Sequence, residues 1–358
     1  MKRINFVVLA VVAFSWALIA APLPAQFVYV ANKGDDNISG YSLNAKTGVL
    51  TAVSGSPFAT GTGPFSLALH PTSKFLYVTN SGDNTVSGYR IDDKTGVLTA
   101  IPGSPFATGL QPEGVAVDPL GRFAYVANSV DNTVSGYGID AKTGALTPFE
   151  GSPLPAGKNP WSVAVDPKAE FVYVVNELDS TVSAYRIDQK SGALTQVKGS
   201  PSLTGSDPAW ITANPTGKFA YVTNEFDSTI SGYSIDHKTG ALTPLSASPF
   251  ATGGTPIGIV FDPNGKFVYV ANSTGPTVSG YSLDPLTGAL TPVPGSPFGA
   301  ESTPLAVAID PTAQFAYVTN EFDNSVSAYI IDCDGYLTPV AGSPFPTGAF
   351  PIAIAITK

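Results

Sequence analysis

Short runs of aromatic and β-branched residues, each closed by a turn signal, recur along this chain at a fixed spacing. Phe75-Leu-Tyr-Val-Thr predicts a strand, and Asn80-Ser-Gly-Asp-Asn then supplies residues that favour turns and left-handed backbone. Thr85-Val-Ser-Gly-Tyr-Arg-Ile predicts a second strand, and Asp92-Asp-Lys-Thr-Gly a second turn, with Gly96 suited to a positive φ. Val97-Leu-Thr-Ala-Ile reads as a third strand. Gly103-Ser-Pro-Phe ends it, with Pro105 where no ladder donor is needed, as on a sheet edge. After a longer loop, Gly114-Val-Ala-Val predicts a fourth strand, and Asp118-Pro-Leu-Gly a β-turn with proline second. Helical periodicity is absent throughout.

The same unit begins at Phe27, Phe75, Phe123, Phe171, Phe219, Phe267 and Phe315, each start 48 residues after the last (75 − 27). Four short strands in a repeat of this length form the pattern of a propeller blade. The expected fold is therefore all-β: a seven-bladed β-propeller with four antiparallel strands per blade. The segments 65–70, 113–118, 161–166, 209–214, 257–262, 305–310 and 352–357 carry small residues at alternate places, among them Ser66, Ala68, Gly114 and Ala116. Strands nearest a propeller axis crowd one another, so these are the expected innermost strands. The repeats begin on a second strand and the chain ends on an innermost one. The C-terminal strand should thus complete the N-terminal blade and close the ring without a free edge.

Ahead of the repeats, Met1-Lys2-Arg3 is a basic start, and Phe6 to Ala21 is apolar except for Ser15. This reads as a signal peptide over residues 1–25, cleaved after Ala25 or Ala21, with a single domain over 26–358. A run this short favours a leader over a membrane anchor. The expected location is secreted or periplasmic, with no membrane association beyond the leader. The net charge of −9 becomes −11 once Lys2 and Arg3 are removed, which disfavours nucleic acid and anionic lipid as partners. The single cysteine, Cys333, allows neither an intrachain disulfide nor a Cys-based zinc site.

Tyr-Val-Thr-Asn stands at Tyr77–Asn80, Tyr221–Asn224 and Tyr317–Asn320, with Tyr-Val-Ala-Asn or Tyr-Val-Val-Asn in the other repeats. With the recurring SGY, DxKTGxL, GSPF and VAVDPxG segments, residues 27–358 resemble the YVTN-repeat propellers. They are also similar to the wider lactonase-like seven-bladed propellers, typified by 6-phosphogluconolactonase. The resemblance implies the propeller fold and, for some members, lactone hydrolysis. Two features depart from a sugar-phosphate enzyme. The chain reads as exported, and after the expected leader only Arg90, Arg122 and Arg186 remain as arginines, whereas phosphate sites favour clustered Arg or Lys.

Comparing the repeats with one another separates scaffold from site. The Tyr29 and Tyr41 series, and the Asn32 series, occupy the same slot in every repeat, so they are expected to serve packing and turns. The Asp35, Asp83 and Asp131 series brings too few oxygens per loop for calcium and is also read as turn-forming. His70 and His237 are substitutions within turns. Residues particular to one blade fall in the two loop classes that open on the usual ligand face of a propeller. The loops from outer to inner strand bring Gln111, Glu113, Lys158, Asn159, Trp161, Asp207, Trp210 and Glu301, and the loops from second to third strand bring Lys33, Glu177, Glu225 and Glu321. Trp161 and Trp210 are the only tryptophans after the leader, and such rings beside a few polar groups suit a sugar or lactone. The expected role is binding of a small molecule, glycan or protein at the channel face by a monomer, with Asn159, Trp161, Trp210, Glu177, Glu225 and Glu321 as contacts. The alternative is lactone hydrolysis, with Glu113 or Asp207 as general base and Lys158 stabilising the oxyanion. No cofactor is evident, and a divalent metal held by carboxylates and Asn is left open.

Overall fold

A computed structural model describes residues 25–358; the leader proposed above lies outside the described residues apart from Ala25. The described chain forms seven antiparallel sheets and no helix. In the second blade, the innermost strand Pro64–Leu69 pairs with Phe75–Asn80, which pairs with Thr85–Ile91, which pairs with Leu98–Ala100. The first blade draws its innermost strand, Pro351–Ile356, from the far end of the chain, where Val28 pairs with Ile356 and Val30 with Ile354. Thr357 fastens this seam twice, its Oγ1 accepting from the Phe27 amide at 2.8 Å and its own amide donating to the Phe27 carbonyl at 2.9 Å. The ring closes as the order of predicted strands requires.

The outer edge departs from the simple four-strand expectation. Beyond Gly103-Ser-Pro, the pair Phe106–Ala107 returns to the third strand, where Ala107 faces Thr85 and Phe106 faces Val86. The edge strand is therefore one strand broken in the middle, and each blade has such a fifth short segment. At the break the Gly88 amide would lack a ladder partner, and the Ser104 hydroxyl accepts it at 2.9 Å. The equivalent serine does so in the other six blades, which gives the GSP motif its physical purpose.

Apolar side chains fill the seven spaces between blades. One such cluster joins Phe75, Tyr77, Val86 and Ile101 of the second blade to Val115, Ala124, Val126 and Tyr137 of the third. Second strands such as Phe75–Asn80 are buried along their whole length because they pack on both sides. The two tyrosine series fasten the same spaces with polar links. The Tyr77 hydroxyl donates to the Gly144 carbonyl of the third blade at 2.8 Å, and Tyr137 of the third blade donates back to Ala107 at 2.6 Å. All fourteen tyrosines repeat this scheme.

Two glycines show why the repeat cannot vary freely. Gly96 has φ of +73°, and a Cβ there would lie 2.3 Å from the Phe27 ring of the preceding blade. Gly114 lies on an innermost strand, where a Cβ would come within 2.8 Å of the Trp161 carbonyl on the next one. That contact is the axial crowding expected of small-residue strands.

At the end of the second strand, Asn80 is fully buried and its Nδ2 donates to Thr85 Oγ1 and Ser87 Oγ, both at 2.9 Å, which closes the turn from within. The Asp83 carboxylate reaches the neighbouring loop and accepts from the Thr62 amide at 2.6 Å. Asp35, Asp131, Asp179, Asp227 and Asp323 make the same link, so these aspartates tie the two loop classes together. His70, on the opposite side of the blade, is held by Thr72 Oγ1 at 2.8 Å and the Gly121 carbonyl at 3.0 Å.

Candidate functional site

The innermost strands surround an axial cavity of about 510 Å³. Its walls are mostly aliphatic, with Leu67, Val115, Val163, Ile259, Val307 and Ile354 among them, and its ionisable side chains are Lys33, Glu225 and Glu321. Those three occupy one slot of the repeat, the residue after the buried Asn that ends the second strand. Around the ring that slot holds Lys33, Ser81, Ser129, Glu177, Glu225, Ser273 and Glu321. Asn fixes the turn, so the residue after it leaves from the same backbone position in every blade, and in the first, fifth and seventh it reaches the cavity.

Trp161 and Trp210 both line the cavity although they stand one position apart in the repeat frame. Each lies in a β-bulge, between Pro160 and Val163 and between Pro208 and Ile211, where the alternation of faces is interrupted. The Trp161 ring meets Phe65 edge to face at 5.1 Å. Phe65 and Trp161 belong to the blades on either side of the third, whose own residue at that slot is Glu113. Lys33 places its Nζ 5.2 Å from the Phe65 ring centroid, a cation–π contact that holds the cation at the rim.

Glu113 is 2% exposed and does not line the cavity. Gln111 Nε2 donates to its Oε1 at 2.9 Å, and its Oε2 is buried without a partner. Burial pushes the carboxyl up to about 7, against opposing effects of the Gln111 hydrogen bond and the Lys33 charge, with Glu177 adding a smaller rise. Glu177 is likewise pushed up to about 7, by burial first and then by the charge and hydrogen bonding of Asp207, and Asn159 Nδ2 donates to its Oε2. Glu225 is raised to about 7 by burial and by the charges of Asp207 and Glu177. Burial raises Glu321 too, with Lys33 opposing it. Glu177 and Glu225 are thus both raised, each with Asp207 among the causes, and Glu177 also acts on Glu225. Lys33 and Glu321, from the first and seventh blades, adjoin across the seam.

The structure thus draws Glu177, Asn159, Asp207 and Glu225 together, sets Trp161, Trp210, Glu225 and Glu321 on the cavity wall, and buries Glu113. Lys158 is exposed and does not line the cavity; its backbone amide is bound by Asp179 at 2.8 Å at the loop tip. Lys33 is the cavity's cation instead. The slot it shares with Glu225 and Glu321 was the available signal, because a long side chain there starts from the same backbone position as theirs. Among the described residues no three His, Cys, Asp or Glu side chains are grouped to hold a metal ion.

The comparisons with known proteins agree with this architecture. A family described as lactonase, 7-bladed beta-propeller matches residues 19–203 and 115–305. No curated protein sequence matches the chain. Among solved structures, a Bacteroides uniformis protein assigned provisionally as a 6-phosphogluconolactonase is 18% identical, with TM-score 0.81 over 93% of this chain and 99% of that one. The periplasmic gluconolactonase PpgL of Pseudomonas aeruginosa is 20% identical, with TM-score 0.79 over 93% and 99%. Kuenenia stuttgartiensis hydrazine synthase is 19% identical, with TM-score 0.65 over 86% and 92%, so likeness at this level carries the fold and not the chemistry. The family match spans most of the repeats, and the chain belongs to the lactonase seven-bladed β-propeller family.

Proposed function

We propose that this protein is an exported lactone hydrolase working at the mouth of the axial channel. The observation that carries the reading is that one cation, Lys33, and the raised carboxyl of Glu225 line the same largely apolar cavity. Ester opening needs a base that is partly ionised near neutral pH and a positive charge where the carbonyl oxygen becomes an oxyanion. Glu225 takes a proton from water as the water oxygen attacks the lactone carbonyl carbon. Lys33 steadies the tetrahedral oxyanion. Collapse breaks the bond from acyl carbon to ring oxygen, and the proton held by Glu225 passes to that oxygen, giving the open hydroxy acid. Trp161 and Trp210 flank the ring. Of the bases expected from sequence, Asp207 acts here through its charge, which raises Glu225, and Glu113 is buried off the cavity wall and takes no part.

Export is supported by the basic start and apolar run of residues 1–25, and by a relative in fold that is a periplasmic gluconolactonase. The test is a pH-stat assay of residues 26–358 on a panel of lactones, beside Lys33→Met and Glu225→Gln. Each variant is expected to lose roughly 100-fold or more in kcat/KM. Turnover equal to wild type in both variants would remove these roles. Binding of lactones without turnover would leave a binding propeller, and hydrolysis would not be its function.

A further inference from the structure

We propose that the lactone accepted here is uncharged and bears an alkyl chain, its ring held at the mouth beside Lys33 and Glu225 and its chain running down the channel. This rests on the lactonase reading and names its substrate class. The sixth, seventh and first blades give the cavity an unbroken aliphatic wall, in which Ile257, Ile259, Leu305, Val307, Ile352 and Ile354 take part. Lys33 stands on the first of those blades, so a ring held at Lys33 has that wall directly beneath one side of it. The wall spans Ile257 to Val260 along one strand, a depth of roughly 10 Å at about 3.3 Å per residue.

The wall offers no side-chain donor or acceptor. A polyhydroxylated ring pushed against it would strip water from its hydroxyl groups without replacing the hydrogen bonds, which is unfavourable. A phosphorylated sugar fares worse. The cavity holds one lysine against Glu225 and Glu321 and has no arginine, whereas phosphate recognition relies on clustered cationic donors. An alkyl chain meets neither penalty. Each methylene buried is worth about fourfold in kcat/KM (about 0.8 kcal/mol) until the channel is full.

The experiment measures kcat/KM of the wild-type protein, residues 26–358, for δ-hexalactone, δ-octalactone, δ-decalactone, glucono-δ-lactone and 6-phosphoglucono-δ-lactone. The expected result is a rise of about fourfold per added methylene, with both sugar lactones below δ-decalactone. A flat alkyl series, or a preference for either sugar lactone, overturns the substrate class while leaving lactone hydrolysis standing. No turnover on any of them overturns both. Ala306, between Leu305 and Val307 on the wall, gives a second test. Ala306→Phe is expected to lower kcat/KM for δ-decalactone more than for δ-hexalactone, and an unchanged ratio between the two would show that the chain does not enter the channel. If that variant does not fold, the wild-type series decides alone.

Discussion

Replacing Glu113 with glutamine should make the protein more stable at alkaline pH, and the size of the gain follows from where the carboxyl lies. Its Oε2 is buried without a partner, Gln111 is its hydrogen-bond donor, and Lys33 and Glu177 are the charged groups that act on it. Burial dominates and raises the carboxyl from 4.5 to about 7. Below pH about 4.5 the group is protonated in both the folded and unfolded chain, and its contribution to stability is fully present. As pH rises the unfolded chain releases the proton first, so folded stability falls until the folded carboxyl also ionises near pH 7, and it is level above that. At about 1.4 kcal/mol per pH unit the loss is about 3 kcal/mol. Glutamine keeps the shape and can still accept from Gln111, but it has no proton to lose. Urea unfolding of wild type and Glu113→Gln from pH 4 to 8 is the assay. The variant should gain about 3 kcal/mol over wild type across that range, most of it between pH 5 and 7. If both proteins lose stability in parallel, or the variant is the weaker one at pH 8, the carboxylate is satisfied in the fold and the reasoning fails.

Three further outcomes follow from the same structure. The pH profile of kcat/KM should climb through about pH 7 as Glu225 ionises, and Glu177→Gln should move that climb to lower pH because Glu177 is one of the charges raising Glu225; a profile indifferent to Glu177 contradicts the coupling. Tyr77→Phe deprives the buried Gly144 carbonyl of its donor and should cost about 1 to 2 kcal/mol in urea unfolding, with activity retained per folded molecule. Deleting residues 351–358 removes the innermost strand of the first blade and exposes the edge of Gln26–Asn32. Size-exclusion chromatography and thermal melts should then show aggregation or a broadened transition, and a sharp wild-type melt would contradict the seam.

The scaffold was legible in the sequence because seven copies of one unit state its rules repeatedly. A tyrosine or asparagine found in every copy had to serve each blade, and both series prove to be structural: Tyr77 fastens the next blade, and Asn80 closes its own turn. The interrupted edge strand was not legible. Phe106–Ala107 is too short to show alternation, and its pairing depends on a third strand that already has a partner over its other half. The site was legible as a neighbourhood and not as an arrangement. Loop class alone placed Lys33, Glu177, Glu225 and Glu321 at one end of the channel, and Lys33, Glu225 and Glu321 line the cavity there. Two local features then decided which side chains reach the cavity. Bulges let Trp161 and Trp210 share the wall from different slots, and Lys158 ended at a loop tip whose backbone is claimed by Asp179. Glu113 shows the same limit: it shares its slot with the cavity residues Phe65 and Trp161, yet it alone of the three does not line the wall.

Chemistry at the channel mouth is tested most directly by a crystal structure with a non-hydrolysable lactam analogue of δ-decalactone. The lactam carbonyl oxygen should lie within hydrogen-bonding distance of Lys33 Nζ, with the ring flanked by Trp161 and Trp210 and the Glu225 carboxyl beside its carbonyl carbon. A ligand bound elsewhere would contradict it, for instance in the groove at the seam lined by Lys74, Arg90 and Lys358 on the opposite side of the blades, and so would an empty mouth at saturating lactam.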